Sequence, residues 1–447
     1  MRQSFPLILI SCALAVASPL AQSPPPRPNV ILIITDDMGY GDLGSYGSPD
    51  IKTPNIDGLA KAGVRFTQFY ANASSCTPTR AGLISGRYQQ RFTLERPLSH
   101  ASSTDGNLGL PATGRSLPQL LQNHGYATAL IGKWHLGYLP QFSPKAHGFG
   151  SFFGFKAGYV DYYQHTDASG ASDLFENDTP VKVNGYMTDL ITDRSVSFIE
   201  SNAKSPFFLE VAYSVPHWPY QVPDRPSTAI DNSRHIVAHD DQPNTRADYV
   251  KMLEHADRAV GRILSAIDRT GIAANTLVIF TNDNGGEWLS SNAPFFNRKF
   301  TLYEGGIRVP ALMRWPGRIP AGVITSQVGI TMDLTATILA AAGAAVPADA
   351  RLEGINLLPL IGKDATPVAR TLFWRVATAG LNQRAVRDGD WKLLVDGTAR
   401  QMLFDLSKDV GERNDVAAAN TGIVRRLRQQ LVAWEKDVDS EAKAPSP

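Results

Sequence analysis

Short runs of β-branched and aliphatic residues alternate with stretches of helical period along most of the chain. Asn29 to Thr35, Val64 to Tyr70, Tyr126 to Ile131, Phe207 to Tyr213 and Thr276 to Thr281 read as strands, and the first and last are almost wholly apolar. A strand without polar alternation is buried on both faces, as parallel strands covered by helices are. Between the last two, Arg246 to Thr270 places Tyr249, Met252, Leu253, Val260, Ile263, Leu264 and Ile267 at helical spacing, and Met332 to Gly343 is a further helix rich in Ala and Leu. The expected fold class is therefore α/β, a sandwich with a mostly parallel central sheet flanked by helices. After about Lys363 the pattern changes. Thr371 to Val376, Gln383 to Val395 and Gln401 to Leu406 read as short antiparallel strands with turns at Asp388-Gly389 and Asp396-Gly397, followed by an amphipathic helix from Thr421 to Asp437. The expected organisation is a large domain over 29–363, a small C-terminal α+β subdomain with an antiparallel sheet over 364–440, and a tail over 441–447.

The N-terminus follows another pattern. Arg2 precedes an apolar stretch from Phe5 to Ala17, broken only by Pro6, Ser11 and Cys12, and small residues follow. That is the layout of a secretory signal over 1–21, cut after Ala21, with a proline-rich linker over 22–28. Cutting after Ala17 would leave Pro19 at the second mature position. The alternative is a lipoprotein box at Leu9-Ile10-Ser11-Cys12, which would anchor the chain through a lipid on Cys12. Either way the protein is expected to be exported, periplasmic or secreted. No other segment has the length and apolarity of a transmembrane span.

Charge and cysteine content narrow the picture. Lys plus Arg number 43 against 42 Asp plus Glu, which leaves no positive field to attract nucleic acid. Of the 2 cysteines, removal of the signal leaves Cys76 alone, so no internal disulfide is possible. An odd exported cysteine is either inert and buried or kept for its chemistry. Composition by itself favours burial; the neighbours must decide.

In open α/β sheets ligands sit beyond the carboxyl ends of parallel strands. Asn29 to Thr35 ends in Asp36-Asp37, and the strand to Ile131 leads into Gly132-Lys133-Trp134-His135. Phe207 to Tyr213 leads to Pro216-His217-Trp218-Pro219, and Thr276 to Thr281 leads to Asp283-Asn284-Gly285-Gly286. Singly, each has a plain explanation as a turn or a loop cap. Together, three carboxylates and a carboxamide at one sheet edge would repel one another unless a cation sits among them. With oxygen ligands and no soft donors, a hard cation is implied, Ca²⁺ before Mg²⁺.

The remaining strand end leads to Ser74-Ser75-Cys76-Thr77-Pro78-Thr79-Arg80-Ala81-Gly82-Leu83-Ile84-Ser85-Gly86. Pro78 suits the first turn of a helix and Thr77 its cap, which puts Cys76 at a helix N-terminus, where an anion is favoured. Arg80 can face the same point from one turn on. An ordinary reactive thiolate is a competing reading there, although a thiolate prefers softer partners than calcium.

These segments resemble the sulfatase family, a branch of the alkaline phosphatase superfamily, from about Asn29 to the C-terminus. Two signatures carry the resemblance: Cys-x-Pro-x-Arg at Cys76 to Arg80, and Gly125-Tyr126-x-Thr128-x-x-Ile131-Gly132-Lys133-Trp134-His135. Thr301-Leu302-Tyr303-Glu304-Gly305-Gly306-Ile307-Arg308 resembles a third, which places Lys299 at the position of the family's substrate-binding lysine. The resemblance implies an alkaline-phosphatase-like fold and a hydrolase of sulfate esters. It implies that a formylglycine-generating maturation enzyme oxidises Cys76 before folding, and that the hydrate of the aldehyde attacks sulfur to form a covalent sulfate. By the same resemblance Asp36, Asp37, Asp283 and Asn284 are the metal ligands, with modified Cys76 adding an oxygen. Arg80 and Lys133 hold the hydrate, His135 takes the proton that triggers sulfate release, and His217, Lys299 and Lys133 bind substrate. Two departures stand out. Ser85 replaces the usual threonine, and Phe295-Phe296-Asn297-Arg298 precede Lys299 where relatives often carry Leu-Arg-Gly, which leaves the leaving-group pocket open.

His147-Gly148-Phe149-Gly150-Ser151-Phe152-Phe153-Gly154-Phe155 and Asp161-Tyr162-Tyr163-Gln164-His165 resemble the corresponding stretch of carbohydrate sulfatases of the N-acetylgalactosamine-4-sulfatase type. Their aromatics either stack on sugar rings at a site mouth or pack the core. A sulfated sugar or polysaccharide is the leading substrate, with a broad arylsulfatase as the looser alternative. A phosphatase or phosphonate monoester hydrolase on the same fold, and a non-catalytic sulfated-glycan-binding protein, are the rivals.

Overall fold

The computed structural model of this chain describes residues 1, 27–225, 244–378 and 380–442. The expected signal segment beyond Met1, Cys12 with it, the linker as far as Pro26 and the tail beyond 442 lie outside the described residues. In chain order come β1 (Asn29–Thr35), α1 (Pro54–Ala62), β2 (Val64–Phe66), β3 (Phe69–Tyr70), α2 (Cys76–Ser85), α3 (Leu117–Asn123), β4 (Ala127–Lys133), β5 (Ser151–Phe155), β6 (Phe175–Glu176) and β7 (Thr179–Pro180). Then follow α4 (Met187–Asn202), β8 (Phe207–Ala212), α5 (Arg246–Arg269), β9 (Thr276–Asn282), α6 (Glu304–Ile307), β10 (Ala311–Arg314), β11 (Val323–Thr325), β12 (Gly329–Ile330) and α7 (Thr331–Ala342). The C-terminal part holds β13 (Thr371–Thr378), β14 (Leu381–Asp388), β15 (Trp391–Asp396), β16 (Arg400–Asp405) and α8 (Thr421–Ala442).

Ten strands form the central sheet in the order β11-β2-β10-β9-β1-β8-β4-β5-β6-β7. The middle five, β9, β1, β8, β4 and β5, are mutually parallel, and β10 runs antiparallel to β9. Every residue of β1, β8 and β9 is buried, as their largely apolar runs require, Glu210 of β8 included. The two faces separate by the period of two along each strand. Ile31, Ile33 and Val211 pack with Ile191, Met252 and Val260 of α4 and α5. Val30, Leu32 and Phe208 pack with Ala81, Leu121 and Leu334 of α2, α3 and α7. The expected α/β sandwich with a mostly parallel sheet is the fold observed.

One expected element differs. The run from Val64 to Tyr70 is not one strand: β2 belongs to the central sheet, whereas β3 pairs with β12 in a separate two-stranded sheet. Its apolar residues are buried throughout, so the pattern carries no mark of the break. Gln383 to Val395 is, as the Asp388-Gly389 turn implies, a hairpin of β14 and β15 folded at Gly389, whose φ of 60° a glycine adopts without strain.

The sheet β13-β14-β15-β16 carries α8 on one face through Leu427, Leu431, Trp434 and Val438, and shares its core with Tyr70, Leu302 and Ile307 of the large part. A buried ion network secures this contact. Lys392 lies 2.9 Å from Glu304 and 2.8 Å from Glu412, and Arg308 lies 3.0 Å from Glu304. Leu302 N–H donates to Gln383 Oε1 at 2.9 Å. The C-terminal sheet thus holds the segment that carries Lys299.

Candidate active site

Strand register brings the chemistry together. Ile34 lies opposite both Ala212 and Thr281, Thr35 opposite Asn282, and Gly132 opposite Ala212, so four strands end at one level. The close approach of β4 to β8 requires Gly132, since a Cβ there, at φ 121°, would lie 1.9 Å from the Ala212 carbonyl oxygen. Beyond the ends, Asp37 and His135 hold left-handed backbones, φ 64° and 58°, that non-glycine residues adopt only when the surroundings impose them. Asn282 ties two of the ends together. It accepts from Thr35 Oγ1 at 2.8 Å and Met38 N–H at 3.2 Å, and donates to the Met38 and Asn284 carbonyls.

The carboxylates are buried, and two of the three are half-satisfied. Asp36 Oδ2 accepts from the Lys133 ammonium at 2.5 Å, with neither side chain exposed. Asp283 Oδ2 accepts from Arg80 Nη2 at 2.9 Å and Nε at 3.1 Å. Asn284 Nδ2 donates to Asp37 Oδ1 at 2.7 Å and to the Gly285 carbonyl at 3.0 Å, and Asp37 Oδ2 accepts from Lys299 at 2.6 Å. The other oxygen of Asp36 and of Asp283, Oδ1 in each, and the single side-chain oxygen of Asn284 are buried without a partner. Burial, then repulsion by Asp283, raises the Asp36 carboxyl well above its ordinary range against the pull of Lys133. Burial acts the same way on Asp37, but Lys299 and His217 override it and hold that carboxyl below the usual range.

Asp36, Asp37 and His217 each bring one ligand-type atom within 4.8 Å of the others. The His217 nitrogen is not free for a cation. Nδ1–H donates to the Trp218 carbonyl at 2.5 Å, and Nε2 accepts from the Lys299 ammonium at 3.3 Å. Burial lowers the His217 pKa well below the ordinary value despite Asp37. Burial would also depress Lys299, but Asp37 and Glu287 outweigh it and keep the ammonium charged.

His135 is the complement. Its Nε2 lies 2.8 Å from the Leu98 carbonyl, which only accepts, so Nε2 carries the hydrogen. Nδ1 then bears a buried, unpartnered lone pair. Burial and the Lys133 charge keep the ring neutral.

Cys76 opens α2, buried, among Lys133, Lys299, Asp36 and Asp283, whose charges all act on it. Two expectations are corrected here. Thr77 is not the helix cap. Ser75 occupies that position, and Thr77 Oγ1 donates to the His135 carbonyl while accepting from Leu98 N–H, joining three segments of the site. Nor is a thiolate stabilised, because burial outweighs Lys133 and Lys299 and raises the thiol pKa. The expected ligand, anion-holding and substrate residues thus converge: Asp36, Asp37, Cys76, Arg80, Lys133, His135, His217, Asp283, Asn284 and Lys299 are all buried at this edge.

The aromatic stretch is chiefly core. Phe152, Phe153 and Phe155 belong to β5, and with Phe149 and Tyr162 they are buried in the two main clusters. The ring that does meet the site is Tyr159, stacked on His217 at 5.7 Å. No motif marks it. Asn282 was equally hidden, since Asn before Asp-Asn-Gly reads as turn chemistry.

The family model described as sulfatase matches residues 28–344, and that described as N-sulphoglucosamine sulphohydrolase, C-terminal, matches residues 292–437. The chain is 36% identical to N-acetylgalactosamine-6-sulfatase of Mus musculus over 380 residues, spanning 80% of this chain and 70% of that one. It is 34% identical to arylsulfatase A of Homo sapiens over 479 residues, spanning 96% and 91%. The crystal structure of Ps i-CgsB in complex with k-i-k-neocarrahexaose superposes with a TM-score of 0.82 at 33% identity, over 91% of this chain and 92% of that one. With its fold, its convergent strand-end residues and these relatives in agreement, the chain belongs to the sulfatase family, the hydrolases of sulfuric esters.

Proposed function

We propose that this sulfatase removes sulfate from a sulfated sugar or polysaccharide outside the cytoplasm, using a formylglycine made from Cys76 beside a bound Ca²⁺. The observation that carries the reading is the set of buried, unpartnered oxygens on Asp36, Asp283 and Asn284 at the helix end occupied by Cys76. Leaving such oxygens unsatisfied costs about 1–3 kcal/mol each, and a hard cation satisfies all three. Asp36, Asp37, Asp283 and Asn284 would hold it, with an oxygen of modified Cys76. Calcium there would supply a hard positive charge that polarises the oxygens around it. Formylglycine would supply an oxygen nucleophile on a carbon able to release sulfate by re-forming its carbonyl.

The chain's own residues have matching tasks. Lys133 and Arg80 balance Asp36 and Asp283 and keep the pocket cationic toward an incoming sulfate. Lys299, held as an ammonium, binds sulfate oxygens together with Lys133 and has the proton that a departing alcohol needs; His217, neutral with Nε2 accepting from Lys299, joins them as a donor once the charge of the sulfate draws a proton onto it. His135, neutral with a bare Nδ1, accepts the proton whose removal triggers sulfate release. Arg80 aligns this machinery, as its Nη1 donates to the Lys133 carbonyl at 3.2 Å. A high thiol pKa argues against an unmodified thiolate nucleophile.

A sugar substrate is supported by the relatives named for N-acetylgalactosamine-6-sulfatase and by the neighbour bound to k-i-k-neocarrahexaose. Export rests on the apolar stretch from Phe5 to Ala17, and no helix among the described residues is long and apolar enough to cross a membrane. A maturation enzyme is then the required partner. Mass spectrometry of the Cys76 peptide, metal analysis and sulfate release from defined sulfated oligosaccharides and matched phosphate esters test the reading. An intact thiol in fully active enzyme would overturn the mechanism, and faster turnover of the phosphates would overturn the substrate class.

A further inference from the structure

Phe295-Phe296-Asn297-Arg298 leads directly into Lys299 of the buried site. Asn297, two residues before Lys299, and Phe300, directly after it, both have left-handed backbone, φ 66° and 71°. Asparagine tolerates that region. For a bulky residue it costs about 1–2 kcal/mol. The conformation is held by Phe300 N–H, which donates to the Ser74 carbonyl at 2.7 Å, two residues before Cys76. The cost is not recovered by burying the ring, because Phe300 is 38% exposed, with its centroid 5.1 Å from the Lys299 ammonium.

A second exposed ring stands on the neighbouring loop. Trp288, 42% exposed, follows Asp283 and Asn284, and the Arg298 guanidinium lies 5.4 Å over it. Among the described residues, Trp288 and Phe300 are the only exposed tryptophan and phenylalanine. Both stand on loops that also carry residues of the buried site. Arg298 is exposed and has no carboxylate partner among the described residues. Apolar rings exposed beside a cation match the alternation of C–H faces and anionic groups on a sulfated glycan.

We propose that Phe300, Trp288 and Arg298 form a substrate-selecting rim: the sugars of a sulfated glycan pack their C–H faces on the two rings, and Arg298 pairs with a second anionic group of that glycan, a sulfate or a carboxylate. The proposal rests on the sulfated-sugar reading above and extends it from one ester to at least two charged groups. The rim is a specificity element, distinct from the buried groups that meet the reacting sulfate.

The test compares the full-length matured protein with Arg298→Gln, Trp288→Ala and Phe300→Gly, the last chosen because glycine accepts the backbone conformation. kcat/KM is measured on a monosulfated disaccharide and on the same disaccharide carrying either a second sulfate or a uronic carboxylate. Inhibition by inorganic sulfate reads the buried site alone. Arg298→Gln is expected to lower the preference for one or both doubly charged substrates about tenfold, the size of one charge-assisted hydrogen bond, and the arm affected names the group. Trp288→Ala and Phe300→Gly are expected to raise KM for all three sugars by more than they weaken inorganic sulfate. Unchanged preference, or equal losses on every substrate and on inorganic sulfate, would overturn the rim. Wild-type protein that cleaves simple sulfate esters but no sulfated sugar would refute the sugar-substrate reading instead. In that case calorimetry of the same disaccharides, with and without Arg298→Gln, still decides the rim, since absence of Arg298-dependent binding overturns it.

Discussion

Replacing Lys133 by methionine removes an ammonium that has no exposure to water and sits 2.5 Å from the equally shielded Asp36. Breaking a buried pair on one side costs about 3–5 kcal/mol when the surviving charge has no escape. Asp36 has one. Burial and Asp283 already raise its pKa well above the ordinary range, and Lys133 is the charge that opposes them most strongly. Without Lys133 the balance at Asp36 shifts further toward the protonated carboxyl, which spares part of the folding penalty but weakens an oxygen of the proposed cation site. The variant is therefore expected to stay folded, to lose about 10²–10³ in kcat, as removal of one charged site donor does, and to retain calcium poorly. Proton and cation now compete for Asp36, so calcium affinity rises with pH more steeply than in the parent. Sulfate release between pH 6 and 9, with calorimetric calcium titrations at each pH, measures both effects. Lys133→Arg restores charge but brings a bulkier planar fork into a fully buried position, and recovers little of the loss. A Lys133→Met protein whose kcat stays within tenfold of the parent, or whose calcium affinity follows pH as the parent's does, refutes this account.

Three further outcomes are expected. His135→Ala lowers kcat by about 10²–10⁴; because burial and Lys133 hold the imidazole below its ordinary pKa, the parent loses its activity only as pH falls through that depressed value, and the variant's pH–rate profile lacks this acid limb. Chelation lowers the melting temperature and calcium restores it, with a linkage of about 2.7 kcal/mol at a hundred times the Kd; a melting temperature insensitive to both would leave the three bare oxygens without their cation. Glu210, buried in β8, is pushed up by burial to about 7 against the pull of Arg80. Its protonated form stabilises the fold fully below the ordinary carboxyl value and this contribution is lost as pH rises through about 7, so melting of Glu210→Gln against pH runs flatter than the parent's across that interval.

Local sequence was enough for the apolar strands β1 and β9, whose burial on both faces leaves its mark in every residue, and for the long helix α5, whose stripe repeats over many turns. It was enough as well to pick out the polar residues that the fold gathers beyond the strands, because apolar runs end together at one sheet edge: Asp36, Lys133, His217 and Asp283 were all visible where such runs stop. What stayed hidden depends on neighbours distant in sequence. Periodicity reports that a face is buried but not against what, so β3 was not separable from β2, and the phenylalanines of β5 could equally have been a site mouth. Thr77 looked like a cap because its bonds to His135 and Leu98 cross from one segment to others. The helix N-terminus alone favours a Cys76 thiolate, whereas desolvation sums over every atom packed around the sulfur and reverses the sign. The bare oxygens on Asp36, Asp283 and Asn284, and the exposed Phe300 above Lys299, exist only once long-range register has decided which atom of each side chain finds a partner and which is left facing the site.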